Sequence, residues 1–217
     1  MSELDDVESG NYHYSMKLVV VGDAGVGKTT LLSSHVRDEA QADGSAEPEP
    51  GYCTDFMVKG YERGGCKYLV QFWDVAGVDV VSESASVARL CAGGAGGVVV
   101  FDCSTPASFE RLPAWLAATR QSCVGGAGGS GSWALVGNST AGAAAGADAV
   151  SQAQAEAFAE ENGMRYYTDF NSAVYDVLSC VGACIPSPPE PSLLLRQGVA
   201  VGRMLAQDPS FRRAVFG

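Results

Sequence analysis

Residues 16–32 read MKLVVVGDAGVGKTTLL, and this stretch decides the fold. The run 16–21 is short, apolar and rich in β-branched residues, which is the composition of a strand buried on both faces. It leads into the glycine-rich turn 22–27 and then into Lys28, Thr29 and the opening of a helix. The pattern GxxxxGK[ST] is satisfied in full, with a strand before it and a helix after it. The sequence therefore predicts a phosphate-binding loop.

The chemistry of such a loop follows from its backbone. Glycines let consecutive N–H groups point at phosphate oxygens, at the positive end of a helix. Lys28 would reach the terminal phosphates, and the Thr29 hydroxyl would hold Mg²⁺. We expect the phosphate contacts of the loop to come from eight consecutive residues: Asp23, Ala24, Gly25, Val26, Gly27, Lys28, Thr29 and Thr30.

Downstream of the loop, strand-like and helical segments alternate. Strand signals lie at 55–61 and 67–73, which form a hairpin, and at 97–102, 133–136 and 166–167. Helices are predicted at 82–91, 106–122, 151–161 and 173–185. This alternation implies right-handed crossovers and a mainly parallel sheet with helices on both faces. The predicted fold class is α/β, a P-loop NTPase mononucleotide-binding fold with six strands, one of them an antiparallel edge strand.

Charge and cysteine content limit the classes of function. A formal net charge of −11 and a pI near 4.5 argue against nucleic acid as a partner, because phosphates would be repelled everywhere except at a dedicated loop. Seven cysteines without CxxC pairs predict free thiols in a reducing compartment. The acidic residues 1–10 carry no secretory signal, and no stretch approaches the ~20 apolar residues of a membrane span. We expect a soluble, cytoplasmic protein.

The composition divides the chain into three regions. Residues 1–13 form an acidic tail that we expect to be disordered, and residues 14–185 form the nucleotide-binding domain. Residues 186–217 form an extension, which opens with the Pro-rich spacer PSPPEP and continues into an amphipathic helix at 193–205. That helix either docks onto its own domain or binds a partner.

The opening stretch resembles that of Rab and Ras family GTPases. The similarity continues through WDVAG at 73–77, VVVFDCSTPASF at 98–109, Trp115-Leu116 and LVGN at 135–138. The resemblance implies a Rab-like G domain that binds GTP or GDP with Mg²⁺ and acts through protein effectors or a transport complex. It also implies that Asp74 holds the Mg²⁺ ion and that Gly77 senses the γ-phosphate.

Two positions near the γ-phosphate depart from the family pattern. Val78 stands where the family has the glutamine that orients the attacking water. Loss of that group removes a transition-state interaction, so we expect slow hydrolysis. Gly51 stands where the family's mobile loop has a Mg²⁺-binding threonine, with Thr54 as a substitute if the register of the loop shifts.

Guanine recognition departs further from the family. The family motif is Asn-Lys-x-Asp, whereas this chain has Asn138-Ser139-Thr140-Ala141 and keeps only the asparagine. Loss of the bidentate aspartate is expected to cost about 2 to 4 kcal/mol of preference for guanine, unless Asp148 returns to the site. The family's Ser-Ala-Lys motif matches either Ser172-Ala173-Val174, which places Ala173 at the base, or Asp169-Phe170-Asn171.

Two functions follow from these observations. The first is a Rab-like GTP-binding protein with slow hydrolysis that controls intracellular transport or signalling through partners. The chain ends without CaaX or paired cysteines, so no prenyl membrane anchor is expected. Rab-like proteins of that kind work in ciliary transport, which adds the cilium or flagellum as an expected location. The alternative is a pseudo-GTPase scaffold with no nucleotide or a structural one, against which Lys28, Thr29 and Asp74 argue.

Overall fold

The computed structural model describes residues 12, 14–40, 56–63, 66–120, 123, 133–139 and 149–183. Its elements in chain order are β1 (Tyr14–Val21), α1 (Lys28–Ala40), β2 (Phe56–Arg63), β3 (Cys66–Asp74), α2 (Ser84–Cys91), β4 (Gly96–Asp102), α3 (Pro106–Glu110), α4 (Leu112–Arg120), β5 (Trp133–Asn138), α5 (Gln152–Glu161), β6 (Arg165–Tyr167) and α6 (Phe170–Ala183). Most of the predicted tail, the segment with Gly51 and Thr54, and the extension 186–217 lie outside the described residues. Within those described ranges, no helix has the length and apolar character needed to cross a membrane.

The strands form one six-stranded sheet in the order β2-β3-β1-β4-β5-β6. Strand β1 runs parallel to β4, β4 parallel to β5, and β5 parallel to β6. The hairpin of β2 and β3 supplies the one antiparallel pair. The predicted mainly parallel sheet with an antiparallel edge strand is therefore confirmed.

Side chains alternate between the two faces of the sheet along each strand, so both faces carry apolar side chains. Helices pack on both faces and cover them. On one face, Val19 and Val21 of β1 join Val99 and Phe101 of β4 in a buried cluster with residues of α2, α4 and α5. On the other face, α6 packs on β4, β5 and β6 and also contacts α1. Strand β4 is buried along its whole length, which is the environment predicted from its unbroken apolar run.

Contacts within the chain separate two compact units. Of the described residues, one unit contains 12, 14–16, 58–63 and 66–71, and the other contains 17–40, 56–57, 72–120, 123, 133–139 and 149–183. In the described part of the first unit, Tyr14 stacks on Tyr68 with ring centroids 5.5 Å apart. The second unit contains the phosphate loop and the strand ends around it, and every contact described below lies within that unit.

The single helix predicted over 106–122 is wrong. The structure has α3 and α4 instead, with Arg111 between them. Pro113 explains the break, because it has no N–H to donate to the Phe109 carbonyl one turn earlier. The break leaves Arg111 where its side chain reaches the phosphate loop.

Capping residues determine where the last two helices, α5 and α6, begin. Ser151 caps α5 in a reciprocal pair with Gln154, as its sequence pattern indicates. Helix α6 begins at Phe170, three residues before the predicted start at Ala173. Asp169 accounts for the earlier start, because its carboxylate accepts hydrogen bonds from the Ser172 N–H at 2.8 Å and the Ser172 hydroxyl at 2.7 Å.

Candidate phosphate-binding site

The phosphate loop connects β1 to α1 and is held against the ends of two neighbouring strands. Gly22 has φ +144°, and a Cβ there would lie 2.1 Å from the Val100 carbonyl oxygen of β4. Gly27 has φ +89°, and a Cβ there would lie 2.3 Å from Asn138 Nδ2 at the end of β5. Only glycine fits both the backbone conformation and the space at these two positions.

One edge of this loop is open to solvent. Ala24, Gly25, Thr29 and Thr30 are exposed, whereas the Val26 side chain is buried in the core. The N–H groups of a loop that opens a helix carry partial positive charge, so the exposed edge suits an anion. The eight residues predicted to contact phosphate thus lie on the loop and the first turn of α1, which share an accessible side.

The Lys28 side chain folds back onto the backbone of the phosphate loop. Its ammonium donates hydrogen bonds to the carbonyl oxygens of Gly22 at 2.8 Å and Asp23 at 2.7 Å. Burial lowers the pKa of Lys28 from its ordinary value, and the nearby carboxylates of Asp74 and Asp23 oppose that shift. An ammonium has three donors, so these two carbonyls leave one donor for a phosphate oxygen.

Thr29 and Asp74 bring two oxygen ligands together beside the loop. The Thr29 hydroxyl donates a hydrogen bond to Asp74 Oδ2, and Asp74 is buried at the end of β3. Among the described residues, no group of three or more His, Cys, Asp or Glu side chains forms a metal cage. Mg²⁺ does not need such a cage, because it takes one or two hard oxygen ligands from protein and completes its shell with water and phosphate. The donor set therefore fits Mg²⁺.

The segment after β3 lies against the phosphate loop. A Cβ on Gly77 would lie 2.2 Å from the backbone nitrogen of Ala24 and 2.4 Å from its Cα. Val78, the next residue, is partly buried and packs against the apolar cluster of the sheet face. Val80 is 1% exposed in the same cluster. This segment is thus anchored by hydrocarbon side chains next to the position predicted for the γ-phosphate.

Asn138 ties the loop to β5. Its Nδ2 donates a hydrogen bond to the Val26 carbonyl oxygen at 2.8 Å. Ser139 is exposed, while Thr140, Ala141 and Asp148 lie outside the described residues. The structure therefore assigns a loop-holding contact to the one residue that the chain keeps from the family's base-reading motif.

The second segment predicted to contact the base comprises Asp169 and the first turn of α6. Ala173 is fully buried in α6. Asn171 Oδ1 lies 2.5 Å from Nδ1 of His35, which is buried on α1. Hydrogen bonds donated by Ser172 hold the pKa of Asp169 below its ordinary value. Both candidate motifs, Ser172-Ala173-Val174 and Asp169-Phe170-Asn171, therefore contain side chains that already bind other protein atoms. The assignment of Ala173 as a base contact stays a prediction.

The sequence does not reveal the surroundings of the Asp23 side chain, which the structure shows. Its Oδ1 accepts a hydrogen bond from Trp115 Nε1 at 2.8 Å, and its Oδ2 lies 2.7 Å from Arg111 Nε. The sequence predicts Asp23 as a phosphate contact and indicates no partner for its carboxylate. A negative charge inside a phosphate loop was the available signal, because it requires a compensating group nearby.

Comparison with known proteins supports this description of the loop. A sequence model of the Ras family matches residues 17–177. The GTP-binding protein ypt3 of Schizosaccharomyces pombe is 30% identical over 164 residues, which cover 73% of this chain and 69% of that protein.

Shorter matches point to the same group of proteins. Ras-related protein RABA5d of Arabidopsis thaliana is 32% identical over 109 residues, 50% of this chain and 47% of the relative. Ras-related protein Rab-42 of Mus musculus is 34% identical over 113 residues, 50% of each chain. In such matches the chain spans about half the length of the curated relatives.

Proposed function

Because the chain belongs to the Ras family of small GTP-binding proteins and is Rab-like, we propose that it binds a guanine nucleotide and Mg²⁺ and hydrolyses GTP slowly. It would act through protein effectors in intracellular transport or signalling. The observation that carries the proposal is the complete phosphate loop, in which buried Lys28 lies beside Thr29 and Asp74.

Phosphate binding draws on the loop backbone and on Lys28. The N–H groups at the start of α1 offer hydrogen bonds to phosphate oxygens, and the ammonium adds a full positive charge at the base of the loop. Thr29 and Asp74 would hold Mg²⁺, which neutralises phosphate charge when it is bound. Gly77 brings the backbone after β3 to the same loop. Together these groups would bind the phosphates without any contact to the base.

Hydrolysis is expected to be slow because of Val78. Its side chain has no hydrogen-bonding atom and packs against the apolar cluster, so it cannot orient a water molecule. A missing transition-state contact lowers the rate of the chemical step and leaves nucleotide affinity unchanged. The protein would therefore keep GTP bound for long periods unless a partner supplies the missing group.

Selectivity for guanine is expected to be weaker than in relatives with the full motif. Nδ2 of Asn138 is engaged by the Val26 carbonyl, and the aspartate that pairs with guanine is replaced by Ala141. If nothing replaces it, the preference for guanine over adenine falls by roughly 30-fold to 1,000-fold.

The second candidate is an interaction scaffold, and one observation favours it. Val75, Val78 and Val80 anchor the segment after β3 in the core. A segment held by buried hydrocarbon changes little between nucleotide states, because moving it would expose that surface to water. In this reading partners recognise the same surface whichever nucleotide is bound.

A titration separates the two candidates. Fluorescent GDP, GTP and ATP are added to purified protein with and without Mg²⁺, and the same is done for Lys28→Ala. Arg89→Ala is the matched control, because Arg89 is exposed on α2 and its loss removes one positive charge elsewhere. Mg²⁺-dependent binding that prefers guanine and is lost only in Lys28→Ala supports the first candidate. No binding, or equal binding of ATP and GTP, supports the scaffold.

The location of the protein is a further part of the proposal. Buried free thiols such as Cys91 and Cys123 suit a reducing compartment, so we place the protein in the cytoplasm. The cilium or flagellum is the narrower location we propose for a Rab-like transport role. Fluorescence microscopy of the tagged protein tests both, and accumulation in an oxidising compartment would contradict them.

A further inference from the structure

Asp23 introduces a negative charge into the loop that is meant to hold phosphates. It is the second residue of the loop, next to the exposed Ala24 and Gly25. A free carboxylate at this place would repel a bound polyphosphate and weaken its binding. In the structure, the Asp23 carboxylate is bound by protein groups, one of which carries a positive charge.

Both oxygens of the Asp23 carboxylate are bound by residues around the α3–α4 break. Trp115 Nε1 donates to Oδ1 at 2.8 Å, and Arg111 Nε lies 2.7 Å from Oδ2. The Asp23 side chain is 9% exposed and that of Arg111 is 52% exposed, while Trp115 is fully buried. We call these three residues the carboxylate clasp. The clasp neutralises the charge and commits the carboxylate to protein donors.

The turn that opens α4 brings the two donors of the clasp together. Arg111 lies between α3 and α4, and Trp115 lies one turn further on, with its N–H bonded to the Arg111 carbonyl at 3.2 Å. Side chains four residues apart on a helix lie on the same side. Arg111 and Trp115 therefore approach Asp23 together.

The backbone of Asp23 serves the phosphate site directly. Its carbonyl oxygen accepts a hydrogen bond from Lys28 Nζ at 2.7 Å. The clasp fixes the side chain of the same residue, so it also limits where this carbonyl, and with it the Lys28 ammonium, can lie. Gly22 against Val100 holds the loop on the neighbouring side.

From these contacts we infer that Asp23 is a positioning residue, which the clasp uses to hold the phosphate loop in its binding geometry while Arg111 cancels its charge. The inference rests on the proposed function, because it concerns affinity for a bound nucleotide. If the inference holds, the affinity for nucleotide depends partly on Arg111 and on Trp115 of α4, which lie outside the loop motif.

A double-mutant cycle tests the clasp. The affinity for GDP with Mg²⁺ is measured by calorimetry for the wild type, Arg111→Ala, Asp23→Ala and the double variant. Arg111→Ala is expected to weaken binding about tenfold, because it leaves a charged acceptor unsatisfied beside the phosphates. In the Asp23→Ala background the same substitution is expected to change binding less than about twofold, because no carboxylate remains to be compensated.

Salt dependence and matched variants separate positioning from general destabilisation. The Arg111→Ala defect is expected to shrink between about 20 mM and about 500 mM salt, because removal of the half-exposed Arg111 side chain opens the Asp23 carboxylate to solvent, where salt screens its repulsion of the phosphates. Arg111→Lys keeps the charge and should restore most of the affinity. Arg165→Ala, which breaks the exposed Arg165–Asp176 pair, is the matched control and should bind like the wild type.

The outcomes are distinct. Equal weakening by Arg111→Ala with and without Asp23, or no weakening at all in otherwise wild-type protein, overturns the clasp and leaves the proposed function standing. Wild-type protein that binds no GDP overturns both. Coupling between Asp23 and Arg111, together with a salt-sensitive defect, supports the clasp.

Discussion

Substitution of Gly27 by alanine is the most direct test of how the phosphate loop is seated. Gly27 has φ +89°, a conformation that costs an L-residue about 1–2 kcal/mol. The new Cβ would also lie 2.3 Å from Asn138 Nδ2, so the amide must move and its bond to the Val26 carbonyl is lost. Leaving that carbonyl unsatisfied costs about 1–3 kcal/mol more. The expected total is about 2–5 kcal/mol of unfolding free energy.

Gly25→Ala is the matched control for this prediction. Gly25 has φ +80°, and nothing lies within 4 Å of a Cβ built there. It therefore carries the same conformational cost without the collision, and the entropic effect of alanine on the unfolded chain cancels in the comparison. We expect Gly27→Ala to be less stable than Gly25→Ala by about 1–3 kcal/mol.

The assay is urea unfolding followed by circular dichroism in buffer without added nucleotide. Equal slopes of free energy against urea show that the variants differ in stability and not in the surface exposed on unfolding. Asn138→Ala in the Gly27→Ala background should cost less than it does alone, because the amide has already been displaced. Equal losses for the two glycine variants, within about 0.5 kcal/mol, would refute the contact between the loop and Asn138.

Three further predictions concern hydrolysis, thiol reactivity and pH. Val78→Gln should raise single-turnover GTP hydrolysis on the order of 10-fold to 100-fold, because it restores a hydrogen-bonding group for the water; an unchanged rate contradicts this account of Val78. Burial raises the pKa of Cys91 to about 12 and that of Cys123 to about 11, so mass spectrometry should find neither thiol alkylated by iodoacetamide at about pH 8 in folded protein. Hydrogen bonds from Ser172 hold the pKa of Asp169 low, so Asp169 stabilises α6 at pH values above the ordinary carboxyl pKa. This stabilisation should disappear as the pH falls through the pKa of Asp169 in the folded protein. Thermal unfolding as a function of pH should show this loss in the wild type and not in Asp169→Asn.

The sequence predicted the sheet well because its signals are local. The second half of β1 (residues 18–21) and the middle of β4 (residues 98–101) are buried apolar runs, and the glycine turn before Lys28 fixes where β1 ends. The helix predicted over 151–161 likewise agrees with α5 to within one residue. These features depend on residues close together in the chain, so one sequence suffices to find them.

The clasp could not be predicted in the same way because it joins residues far apart in the chain. Trp115 lies 92 positions from Asp23, and the single helix predicted over 106–122 did not take the break at Pro113 into account. The start of α6 was missed because Asp169 was considered only as a base contact and not as a cap. Asp23 and Asp169, both predicted from the sequence as nucleotide contacts, each have a further role in the fold that the sequence did not indicate.

The nucleotide carried by the purified protein tests the central claim most directly. The protein is denatured, and the released small molecules are separated by chromatography and quantified against the protein. The account predicts GDP or GTP in close to equimolar amount in the wild type, and its loss in Lys28→Ala. Wild-type protein that releases no nucleotide and takes up none when GDP and Mg²⁺ are supplied would contradict it.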